Sequence, residues 1–214
     1  CTMSRDDRTA EREHSVEQQL AHRDIVDDRV LDAMRRVPRH RFVPGDLSEY
    51  AYDDRPLPIG YDATISQPYI VALMAQALDL QPTDRVLEVG AGSGYAAAVM
   101  AELAGHVTAI EYVEPLAELA AEHLADYGDR VQVVHGDGSL GHPAGAPYDA
   151  ISVAAAARSI PPPLLDQLAP GGRLVIPVGR GSEQLVLITR TSTGDVRTVL
   201  SLVRFVPLRG HHGA

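Results

Sequence analysis

Residues Arg85-Val86-Leu87-Glu88-Val89-Gly90-Ala91-Gly92-Ser93-Gly94-Tyr95 constrain the fold more than any other part of this chain. A short apolar run ends in three glycines at alternate positions, and a helix-forming segment follows. The order strand, glycine loop, helix opens an α/β crossover unit. Without a Cβ, the loop backbone can come close to a ligand at the mouth of the sheet. The spacing is G-x-G-x-G with Glu88 two residues upstream, unlike the G-x-G-x-x-G of dinucleotide sites. No Gly-Lys-Ser/Thr follows, which argues against a P-loop.

Downstream of this unit the pattern predicts strands at 85–89, 107–111, 131–135, 149–153, 173–178, 184–190 and 197–206, with helices at 95–104, 114–125 and 161–168. Such alternation predicts an α/β fold: a mostly parallel, seven-stranded sheet with helices on both faces. The turn Thr193-Gly194-Asp195 marks the last two strands as an antiparallel hairpin. Upstream, residues 1–14 read as a frayed polar end, and 15–80 as a helical arm with a substrate-site loop. Within the arm, two short helices precede Pro38 and Pro44, residues 45–68 read as loop, and Tyr69–Leu80 as an apolar helix. Residues 81–210 form the predicted core, which is aliphatic because the chain has no Trp and 2 Phe.

Charge excludes several partners. Nineteen basic against 29 acidic residues give a net charge of -10, which repels a phosphate backbone. The basic run Arg35–Arg41 reads as the solvated side of a helix whose buried side carries Leu31, Met34 and Val37. No apolar run reaches membrane-spanning length. The single cysteine, Cys1, cannot form an internal disulfide, which fits the cytoplasm. The nine histidines show no metal-ligand spacing, so no metal is assigned.

The glycine loop resembles the S-adenosyl-L-methionine (AdoMet) loop of Rossmann-like methyltransferases, and Gly90, Gly92 and Gly94 are its candidate cofactor contacts. Three features extend it. Glu111 ends the second strand, where a carboxylate can accept both ribose hydroxyls. In His135-Gly136-Asp137-Gly138, Asp137 is placed to receive an adenine amine, beside Gly138. Glu88 can face the ammonium end of the ligand or hydrogen-bond the loop amides. After the fourth strand, Ala154–Ala157 stands where base N-methyltransferases carry Asp/Asn-Pro-Pro-aromatic, which disfavours base methylation.

The segment Arg55-Pro56-Leu57-Pro58-Ile59-Gly60-Tyr61-Asp62-Ala63-Thr64-Ile65-Ser66-Gln67-Pro68 resembles the signature of the protein-L-isoaspartate O-methyltransferase family. Blocks Val30–Arg39, Arg41–Pro44, Gly136–Gly141, Pro170–Gly179 and Val203–Leu208 resemble it in the same order, over roughly residues 15–210. The resemblance implies methylation of the α-carboxylate of L-isoaspartyl residues in damaged proteins, with AdoMet as donor and S-adenosyl-L-homocysteine as product. It implies Ser66 as the active-site residue, Thr64 and Ile65 lining the site, and Glu111, Asp137 and Gly138 holding the cofactor. The expected partners are isoaspartyl proteins or peptides, met by a monomer.

Two residues depart from the family pattern: Asp62, where Gly or Gln is more usual, and Ala154, where Thr is common. They keep open an aspartate O-methyltransferase that forms aspartimide in a ribosomally made peptide. A non-catalytic AdoMet-binding protein is a third reading. For carboxyl methylation no strong base is needed, because a carboxylic acid of pKa about 4 is already ionised at neutral pH. Alignment and exclusion of water must supply the rate. Ser66 then fixes the carboxylate by a hydrogen bond, and it is also positioned to cap the helix starting near Pro68.

Overall fold

The computed structural model describes residues 8–213. Helix α1 (Thr9–Ser15) runs on into a π-helical turn, Val16–Ala21, and α2 spans Asp28–Arg36. Residues 9–14, expected to fray, are therefore helical, while 1–7 lie outside the described residues. Asp27 caps α2 by accepting the Arg29 N–H at 2.9 Å. Two short strands, β1 (Leu57–Gly60) and β2 (Ala63–Ile65), pair antiparallel inside the stretch expected to be loop. Their turn holds Tyr61 and Asp62 at φ 54° and 59°, the left-handed pair that matches strand twist in a two-residue hairpin. The sequence hid it because Pro58 sits within β1 and the turn residues are not Asn-Gly.

Helix α3 (Pro68–Leu78) starts on a proline in its first turn and stops where Asp79 turns left-handed at φ 43°. The main sheet follows: β3 (Arg85–Val89), β4 (His106–Glu111), β5 (Val131–His135), β6 (Tyr148–Val153), β7 (Leu168–Gly179), β8 (Glu183–Thr191) and β9 (Gly194–Val203). Between them lie α4 (Tyr95–Ala101), α5 (Glu114–His123) and α6 (Pro162–Asp166). The spatial order is β5-β4-β3-β6-β7-β8-β9. The first five are parallel, and β8 and β9 join antiparallel. Chain order reverses between β3 and β6, so the loops leaving their C-terminal ends diverge and leave a crevice.

Alternation along each strand divides the interior into two layers. Val86, Val107, Ala109, Ala150 and Val175 face α3, α4 and α5, and the same layer takes Leu20, Ile25, Leu31 and Met34 of the arm. Leu87, Ile110, Ile151, Leu174 and Ile176 face the other way, covered by the short α6 and by Leu208. Strand boundaries depart furthest from expectation in β7 and β9. The register jumps from Leu168 opposite Tyr148 to Arg173 opposite Ala150, so Pro170-Gly171-Gly172 bulges out of a longer β7. At the far end, residues 204–206 leave the sheet after Val203. The Val206 carbonyl accepts from Ala156 N–H, and the Leu208 N–H donates to the Ala156 carbonyl, both at 2.8 Å.

Candidate active site

Three cavities meet where β3 and β6 end. The first, of about 320 Å³, lies between Gly90, Gly92, Glu111, Gly138 and residues 206–209 of the C-terminal segment. A narrow one of about 30 Å³ runs past Glu88, Gly90, Gly92 and Ser66. The third, of about 420 Å³, opens between Pro56, Ser66, Gln67, Ile70 and residues 202–206. Thr64 and Ala154 border all three.

The glycine loop is fixed from the neighbouring strand. Gly90 N–H donates to the Ile110 carbonyl at 2.9 Å, and Gly92 N–H to Glu111 Oε2 at 2.8 Å. The other Glu111 oxygen accepts from Val113 N–H at 3.0 Å. Gly90 and Gly92 have φ of 88° and 55°, conformations that a side chain would strain. A Cβ on Gly92 would also come within 3.1 Å of Ile59 on the hairpin. Gly94 borders none of these cavities: it precedes α4, and a Cβ there would strike Leu124 at 2.9 Å. Its part is packing. Gly138 does border the first cavity, but its bare Cα is demanded by Val89, whose side chain a Cβ would meet at 2.6 Å.

Glu88 is only 1 % exposed, and neither of its carboxylate oxygens has a hydrogen-bond partner among the described residues. It does not bond the loop amides. Burial, and secondarily the charge of Glu111, raise its pKa well above the ordinary carboxylate value. An orphaned acid facing the narrow cavity fits a ligand that brings a cation to it.

Asp137 departs from expectation. Its carboxylate accepts from Ser139 N–H and Oγ–H at 3.0 and 2.6 Å, and from His211 N–H at 2.7 Å. It is turned to the C-terminal segment and borders none of the three cavities. That segment was the feature sequence reasoning missed. Arg209 crosses to the hairpin, donating to the Tyr61 carbonyl at 2.8 Å and lying 4.0 Å from Asp62. Asp62 is fully exposed and borders the first cavity, not the one beside Ser66 and Gln67.

Ser66 joins the narrow cavity to the third. Its hydroxyl makes no hydrogen bond to a described residue, so it is not the cap of α3. That role falls to Asp54, whose Oδ1 accepts from Tyr69 N–H at 3.0 Å while Oδ2 holds Gln67 and Arg23 at 2.8 and 2.9 Å.

The sequence profile described as protein-L-isoaspartate(D-aspartate) O-methyltransferase matches residues 10–213. A protein-L-isoaspartate O-methyltransferase 1 of Rhodopseudomonas palustris is 57 % identical over 208 residues, covering 95 % of this chain and 85 % of its own. One from Methanoculleus marisnigri is 54 % identical over 206 residues, covering 95 % and 93 %. Among solved structures, a Plasmodium falciparum protein described as a protein-L-isoaspartate O-methyltransferase in complex with S-adenosyl-L-homocysteine superposes with a TM-score of 0.80. It is 28 % identical, over 92 % of this chain and 98 % of that one. The chain belongs to the protein-L-isoaspartate(D-aspartate) O-methyltransferase family.

Proposed function

We infer that the protein methylates the α-carboxylate of L-isoaspartyl residues in polypeptides and so starts their repair through a succinimide. The observation that carries this reading at the site is Ser66, an unpartnered hydroxyl between the cofactor-side cavities and a separate open cleft. S-adenosyl-L-methionine, when bound, supplies a methyl group on positively charged sulfur and leaves as S-adenosyl-L-homocysteine.

The chain's residues bind, orient and dry the site. Gly90 and Gly92 let backbone approach the cofactor, Glu111 holds the loop and has lone pairs left for ribose hydroxyls, and Glu88 receives the ammonium. Thr64 and Ile65 line the passage, with Gly138 at the adenine end. Asp137 reaches an adenine amine only by sharing a carboxylate already held by His211. Ser66 donates to one oxygen of the substrate carboxylate and leaves the other free to react. No base is required, because that carboxylate is ionised at neutral pH. The following backbone nitrogen then attacks the ester carbonyl and, with loss of its proton, expels methanol, which leaves far more readily than oxide would from a carboxylate; the succinimide so formed hydrolyses in part to aspartate. A monomer in a cytoplasmic setting completes this reading, and the single cysteine, unable to form an internal disulfide, fits that setting.

Matched peptides differing only in isoaspartate or aspartate test the reading. A normal aspartate carries its carboxylate one methylene further from the chain, and such misplacement costs on the order of 100-fold in rate. Single-turnover methylation should be confined to the isoaspartyl member, and Ser66→Ala should reduce it strongly. Equal rates, or activity on one aspartyl precursor alone, would sink the repair assignment.

A further inference from the structure

Arg39, expected on the solvated side of a helix, lies instead beyond the end of α2 as the largest side chain in the fully buried interior, 1 % exposed, and it forms no ion pair with a carboxylate among the described residues. Its guanidinium donates to three main-chain carbonyls: those of Ala51, of Arg55 at 3.3 Å and of Ser66 at 3.0 Å. Its Nε–H has no acceptor among the described residues. The ring of Tyr95, first residue of α4 behind the glycine loop, lies 5.6 Å from the guanidinium carbon. Burial lowers the pKa of Arg39, and the nearby Asp53 and Asp54 act on it only through space.

Burying a cation without a counter-charge is costly, and a neutral donor holding the same carbonyls would avoid that cost. The charge sits directly behind the residue that has to meet an anion. Because the peptide after Ser66 is trans, the Gln67 N–H points away from the carbonyl that Arg39 holds. Ser66 and Gln67 both border the third cavity.

Resting on the proposed isoaspartyl reading, we propose that Arg39 is a positioning residue for methyl transfer. By holding the Ser66 carbonyl it fixes the Ser66 hydroxyl, and with it the Gln67 N–H, toward the substrate carboxylate, and its charge favours an anion there. Arg39 touches neither substrate nor cofactor in this scheme; it acts through Ser66.

A double-mutant cycle on the full chain decides it, using Arg39→Lys, Arg39→Met, Ser66→Ala and the Arg39→Lys/Ser66→Ala pair. Isoaspartyl-peptide turnover is read beside AdoMet affinity from calorimetry. Arg39→Lys keeps a charge but loses the fork, and should lower kcat by about 10- to 100-fold, the cost of misplacing a reacting group. AdoMet affinity should stay within about twofold, as for uncoupled sites. The double variant should lose less than the two single losses multiplied together, because part of what Arg39 positions is the hydroxyl that Ser66→Ala removes. Additive losses, or cofactor affinity falling as far as turnover, would overturn the proposal. So would failure of both Arg39 variants to fold, or a fully active Arg39→Lys beside an unfolded Arg39→Met, since either marks a structural anchor. A wild-type protein that binds AdoMet and methylates no isoaspartyl peptide would instead remove the functional reading itself.

Discussion

Two glutamates stand at or beside the ends of neighbouring strands and behave differently because of their surroundings. Glu111 accepts two backbone N–H groups, whereas Glu88 accepts none. With its folded-state pKa raised above 4.5 by burial and by Glu111, Glu88 keeps a proton that the unfolded chain gives up. Its contribution to stability is therefore complete below about 4.5 and is lost as pH rises through the raised folded value. Glu88→Gln should remove that decline and leave the ligand-free protein more resistant to urea at pH 8 than wild type, while weakening AdoMet binding. Urea midpoints across pH, with calorimetry, check both halves; a parallel pH profile in the two proteins would refute the assignment. The sequence singled out both glutamates, and each borders a cavity. Their difference was not legible there, because it depends on which loop amides the folded backbone turns toward each carboxylate. Asp137 makes the same point, since nothing in Gly136-Asp137-Gly138 reveals that a segment 74 residues later would claim it.

Among the elements, the β/α alternation from Arg85 onward was legible because apolar runs of strand length and glycine or proline punctuation recur there. The β1–β2 hairpin and the departure of the chain after Val203 were not. Both are short, both depend on distant partners, and both build the walls of the site. They are joined by Arg209, which donates to the Tyr61 carbonyl across the first cavity. Arg209→Ala should speed cofactor release by about 5-fold, the effect of losing roughly 1 kcal/mol of hydrogen bonding. Unfolding should shift by less than about 1 kcal/mol, as for other half-exposed charged contacts. Stopped-flow displacement of bound S-adenosyl-L-homocysteine measures the first and thermal melting the second. Unchanged release would mean that these walls do not hold one another closed.

Across the whole molecule, the arm and the sheet share one apolar layer, so the hairpin that leads into Ser66 is seated on the same packed body as the glycine loop. The surface around that body carries the net charge of -10. Isoaspartyl peptides with lysine neighbours should therefore be methylated faster at low salt than those with glutamate neighbours. The gap should close as the screening length falls from about 30 Å at 0.01 M to about 3 Å at 1 M. Initial rates for the two peptides at several ionic strengths test this, and a salt-independent ratio would assign the preference to local contacts. A different consequence follows from the point where the cavities meet. Thr64 and Ala154 border all three, so on the proposed reading whatever passes from donor to acceptor passes between a threonine and an alanine. That opening sets a gauge for the transferred group. Having alanine on one side makes the gauge wider than a threonine there would, and synthetic sulfonium donors bearing longer alkyl chains become candidate reagents for tagging aged proteins.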